Sequence, residues 1–93
     1  MDLPINYKNT HYSVRKIARE EYQVIQKNHC WFCGAKLDEI PDSQVQNCSI
    51  NKKLFPKGFF NHPVHLHHDH NTDMTIGAVH ARCNAYLWQY KRQ

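Results

Sequence analysis

With 93 residues and a formal net charge of +4, the chain has room for one domain with a thin core. No apolar run approaches the roughly 20 residues a membrane span needs, and the opening MDLPINYKNTHY lacks the apolar stretch of a secretory signal. The expectation is a cytoplasmic protein without a membrane partner, whose four cysteines stay reduced and suit metal better than disulfides.

Residues 1–9 form a polar lead-in, held down if Leu3 and Ile5 find a groove. From Ser13 to about Asn28 the pattern is helical, with Val14, Ile17, Ala18, Tyr22 and Ile25 recurring at three- and four-residue steps. Arg15, Lys16, Arg19, Glu20 and Lys27 fall on the other face, and Ser13 or Thr10 is placed to cap. This is a core-packing helix with a solvated face, or one whose Arg15, Lys16 and Arg19 also touch phosphates. CWFCGAKL (Cys30–Leu37) has the form of a zinc knuckle, its glycine turning the backbone so that both thiolates face one ion. Asp38 to Phe60 reads as polar and irregular, broken by Pro41, Pro56 and Gly58. Within it NKKLFPKGFF mixes Lys52, Lys53 and Lys57 with Phe55, Phe59 and Phe60, as a DNA-facing loop or as packing. His62 to Asn84 reads as strand, turn, strand, helix: VHLHH, DHNTD, MTIGAV, then HARCNAYLWQYKR with Ala85, Leu87, Trp88 and Tyr90 available to pack. Residues 1–29 are thus a lead-in and helix, and 30–93 the core of what is a single domain.

Cys30, Cys33, His80 and Cys83 make a C-x-x-C … H-x-x-C set, one pair from the knuckle and one from the first turn of a helix. Three thiolates and an imidazole fill a tetrahedral zinc site and leave no open position, so its role is structural. Cys48 has no partner in this pattern.

The zinc set uses only His80, leaving His67, His68, Asp69 and His70. On a strand, His68 and His70 share a side and His67 points elsewhere. HLHHDH, a strand and then HARCN together resemble the HNH nucleases of the ββα-metal fold. The closest likeness is to their zinc-stapled branch, typified by phage recombination endonuclease VII. That branch carries C-x-x-C, then a motif of the form L-D-H-D-H, then a second zinc pair followed at once by asparagine. The matching residues are Leu66, His67, His68, Asp69 and His70, then Cys83-Asn84. The likeness runs from about Cys30 to Trp88. It departs at His67, where that branch often has aspartate, and at His80, which replaces a zinc-ligating cysteine.

The resemblance implies an α+β chain: a small ββα-metal fold with an N-terminal helix, stapled by zinc. It implies a metal-dependent DNA endonuclease. His67 and Asn84 would hold one divalent cation (magnesium, manganese, cobalt or nickel), His68 would be the general base, and His70 would orient the scissile phosphate. Arg15, Lys16, Arg19, Lys52, Lys53, Lys57 and Arg82 are the cations available to DNA. A phage origin would place the protein in the host cytoplasm. The alternative is a non-catalytic zinc module binding nucleic acid or protein, which needs the zinc set but has no use for His67, His68 and Asn84 together. A colicin-type toxin would need translocation and receptor segments. Substrate structure and the choice between monomer and homodimer stay open.

Overall fold

The computed structural model describes residues 1–92. It is a small α+β domain: helix α1 (Tyr12–Ile25), a one-turn helix α2 (Ser43–Gln46), strands β1 (Val64–His68) and β2 (Thr75–His80), and helix α3 (Ala81–Lys91). Two single-turn 3-10 segments, Lys52–Leu54 and Phe59–Asn61, lie in the loop before β1. The strands pair antiparallel, with Val64 opposite His80 and His67 opposite Gly77, and a register shift follows between His67 and His68. Both α1 and α3 pack on this hairpin. Among the described residues no helix is long and apolar enough to cross a membrane.

The lead-in is part of the domain. Leu3, Ile5 and Tyr7 pack against the core. Thr75 anchors them: its amide donates to the Ile5 carbonyl, and its Oγ1 accepts from the Ile5 amide at 3.0 Å. The same hydroxyl lies 3.0 Å from the buried Tyr22 Oη. One β2 residue therefore joins the N-terminal segment, α1 and the sheet.

Helix α1 departs from the expected faces. Ala18 and Tyr22 are buried, but Ile17, Val24 and Ile25 are exposed while Arg15 and Arg19 are half-buried. The reason is local. Arg15 donates from Nε to the Thr10 carbonyl at 2.8 Å, and its guanidinium lies 4.5 Å from the centre of the Tyr7 ring. The cap is His11, whose ring accepts from the Ser13 amide, rather than Ser13 or Thr10. The helix stops at Ile25 because Lys27 and Asn28 take positive φ.

The stretch expected to be irregular from 38 to 60 holds more order than its composition suggests. Asp42 caps α2 through the Gln44 amide, and α2 inserts Val45 fully into the core. In α3, Ala85, Tyr86 and Leu87 are buried, whereas Trp88 and Tyr90 stay half-exposed.

Candidate metal centre and adjoining cleft

The knuckle is a small hairpin. Cys30 donates its amide to Ala35 O, Gly34 donates to Cys30 O, and Gly34 takes φ +81°, which glycine adopts without a Cβ clash. It docks on β2 through Trp31, whose amide donates to Ala78 O. Gln26 completes the contact from its side chain, donating to Ala78 O at 2.9 Å and accepting from Ala78 N at 2.9 Å. It behaves as one more strand residue on the edge of β2. Gly77 makes room for it: a Cβ there would stand 2.8 Å from Gln26 Oε1 and 3.0 Å from Trp31 Cβ.

This docking closes a Cys3His cluster. The ligand atoms of Cys30, Cys33, His80 and Cys83 all lie within 4.8 Å of one another. His80 Nδ1 is 3.5 Å from both Cys33 Sγ and Cys83 Sγ. A tetrahedral ion with Zn–S about 2.3 Å and Zn–N about 2.0 Å has an S···N edge of about 3.5 Å. His80 Nε2 donates to the Lys36 carbonyl at 2.8 Å, so Nδ1 keeps its lone pair for a ligand, a common outer-shell arrangement for zinc histidines. His80 is the N-cap residue of α3 but makes no capping bond, because its ring is turned to the cluster. Hydrogen bonding from Cys83 pushes the Cys30 thiol down to about 4, while the same contact and burial push Cys83 up. Thiols this close resist ionising together unless a cation is shared, and a divalent ion removes that conflict. The cluster can therefore hold a structural metal such as zinc.

Beside it lies an open cleft of about 1010 Å³. Asn84, one residue past Cys83, lines it together with His65, His68 and His70 of the hairpin. Helix α1 supplies Arg15, Lys16 and Arg19 to its border, and the loop before β1 supplies Lys57. Lys52 borders a different cavity, near Ile40 and Arg82, and Lys53 is exposed outside both. Arg82 is not a free cation: its guanidinium donates to the carbonyls of Val45, Gln46 and Cys48, the last at 2.6 Å. Expected as a DNA contact, it instead ties α2 and its following turn to α3.

The histidines divide by environment. His67 is only 1 % exposed, and its Nε2 has no hydrogen-bond partner among the described residues. Burial lowers its pKa, against a smaller opposing effect of the nearby Asn84 side chain, so the ring is neutral at pH 7. A buried nitrogen left unsatisfied costs about 1–3 kcal/mol. His68 stacks on Tyr7 with ring centres 4.1 Å apart, and His70 meets His68 edge-on at 4.8 Å. Burial, then His70 and His67, lower the His68 pKa. Asp69 serves the turn: its Oδ1 accepts from the amides of Asn71 and Thr72, which also lower its pKa. Sequence reasoning left His65 without a role. It sits in β1 with Nδ1 3.1 Å from Asn84 Nδ2, and its own pKa is lowered by burial. The available signal was the two-residue spacing from His67, which puts both rings on one side of β1.

No protein-family profile, curated protein or solved structure matches this chain.

Proposed function

We propose that the protein is a metal-dependent DNA endonuclease of the HNH type, with a zinc-stapled ββα-metal core. The observation that carries this reading is the buried, unpartnered Nε2 of His67, on the hairpin that also bears His68 and His70. An orphaned imidazole nitrogen suits a metal far better than a packed core. Imidazole and an amide oxygen are both acceptable donors to a divalent cation. His67 and Asn84 would hold that cation, whose chemistry when bound is to take negative charge from the phosphate and the leaving oxygen.

The chain's own residues do the rest. His68 is neutral near pH 7, so a ring nitrogen can take the proton from the attacking water. The stack with Tyr7 holds that ring in place. His70 orients the phosphate beside it. Arg15, Lys16, Arg19 and Lys57 receive the flanking phosphates. Asn84 is positioned through Cys83, so the zinc acts as scaffold for the catalytic cation.

Nicking of supercoiled plasmid tests the reading. Relaxation should appear with added divalent metal, vanish with EDTA, and vanish in Asn84→Ala. A folded, zinc-loaded protein that nicks nothing with magnesium, manganese, cobalt or nickel would return the non-catalytic zinc module to first place.

A further inference from the structure

The side-chain amide of Asn84 has two ends, and only one of them can bind a cation. The oxygen carries lone pairs, whereas the nitrogen carries two protons and only donates. The terminal torsion of asparagine is roughly two-fold, so a half-turn exchanges the two atoms at little steric cost. Cys83 fixes where Asn84 stands on α3, but it does not choose between the two orientations. Another group has to make that choice.

The group is on β1. Asn84 Nδ2 lies 3.1 Å from Nδ1 of His65. Because the amide nitrogen only donates, the ring nitrogen accepts, and the proton of the neutral ring sits on Nε2. With its nitrogen tied to His65, the amide keeps Oδ1 on its other branch for a different partner. His65 and His67 stand two apart in β1 and so face the same side, and the Asn84 side chain lies near the His67 ring as well.

His65 is itself held. Phe59 meets its ring edge-on with centres 4.6 Å apart, Phe55 tilts against Phe59 at 4.8 Å, and Phe55 stands edge-on to Trp88 at 5.5 Å. Trp88 lies four residues after Asn84, on the same face of α3. The row of rings thus leaves His65, crosses the loop before β1 and closes on the helix that carries Asn84. The aromatic residues of that loop thereby brace the acceptor against the residue it orients.

Resting on the nuclease reading above, we propose that His65 is a positioning residue of the cation site: it holds the Asn84 amide by its nitrogen and leaves the oxygen for the ion shared with His67. His65 does not touch the cation. Its role is separate from those of His67 and His68, and it accounts for a third histidine of HLHHDH.

Two measurements on the full-length, zinc-loaded protein test it. The first needs no added ion. Nitrogen-15 shifts of the ring report which nitrogen of His65 carries the proton, and the form protonated on Nε2 is expected near neutral pH. A proton on Nδ1 would mean that the amide is reversed, which overturns the proposal. The second is manganese affinity, read from the loss of the free-ion electron paramagnetic resonance signal. His65→Phe fills the space of the ring without an acceptor and should weaken binding about tenfold or more, the scale for losing an outer-shell partner. His65→Asn, whose Oδ1 stands one bond from Cγ as Nδ1 does, should recover most of that loss. Unchanged affinity in His65→Phe, or a loss that His65→Asn does not recover, overturns the positioning role and leaves the catalytic cation standing. A wild type that binds no manganese removes the cation itself, and with it both the nuclease reading and the role of His65 toward it.

Discussion

His80 donates its Nε2 proton to the Lys36 carbonyl at 2.8 Å and turns Nδ1 toward two cysteine sulfurs. That one bond joins the knuckle hairpin to the start of α3 and selects the tautomer a metal needs. It also explains why a histidine can stand where the resembled branch has a cysteine.

The first prediction follows from that cluster. Structural zinc in small domains contributes about 10–16 kcal/mol near neutral pH, comparable to or above the roughly 5–15 kcal/mol total stability of a domain. Cys30→Ser and Cys83→Ser should therefore lose zinc and the cooperative thermal transition together, read by metal analysis and circular dichroism. Wild-type melting in a zinc-free variant would rule out the metal as staple.

His68→Ala should keep the fold, the zinc and DNA binding but lower the cleavage rate on the order of a hundredfold or more, as befits removal of a general base. Single-turnover nicking is the measurement. Near wild-type cutting would shift the role to His70, its edge-on neighbour.

At His67 the cation would meet a neutral nitrogen, since burial lowers the ring's pKa. Asp69 is engaged in the turn, where its Oδ1 accepts from the amides of Asn71 and Thr72. Magnesium prefers hard oxygen, whereas manganese, cobalt and nickel accept imidazole. Activity with those three should equal or exceed activity with magnesium. His67→Asp should move the ranking back toward magnesium. An unchanged ranking in the variant would take His67 out of the metal shell.

Stability should also depend on acid. The pKa values of His65, His67 and His68 are all depressed, burial being the first cause in each. Such groups contribute stability that is complete above their unfolded pKa, about 6.5 for histidine, and that is lost as pH falls through the folded values. Below 6.5 the unfolded chain binds more protons, so the melting temperature should fall. His67→Leu should flatten that fall, read from thermal melts at pH 7.5, 6.5 and 5.5 in parallel with the wild type. An identical slope in the variant would mean that His67 does not contribute to it.

Gly77→Ala tests the docking of the knuckle. The added methyl would press on Gln26 Oε1 at 2.8 Å and on Trp31 Cβ at 3.0 Å, an overpacking that costs about 1–3 kcal/mol. The Trp31 Cβ cannot swing aside as a flexible side-chain end would. Denaturant melts of the zinc-loaded protein should show the loss, and a neutral result would mean that the knuckle slides without cost.

The ligand spacing of Cys30, Cys33, His80 and Cys83, and the strand from Val64 to His68, were legible in the sequence. Both are local: C-x-x-C and H-x-x-C set which atoms can reach one ion, and alternation sets which residues share a strand face. The departures all involve partners outside the element that carries the residue. Arg15 turned inward because Tyr7 and the Thr10 carbonyl lie beside it, leaving Ile17 in solvent against its own polarity. Arg82 reads as a free cation, yet three carbonyls from Val45 to Cys48 converge on it. Gln26 looks like any polar residue at a helix end until Ala78, 52 positions on, takes both ends of its amide. His65 gained a place only when α3 brought Asn84 to within 3.1 Å. Spacing fixes what one element can present, but which backbone groups need a partner, and which side chain is near enough to supply it, is decided only when the elements pack.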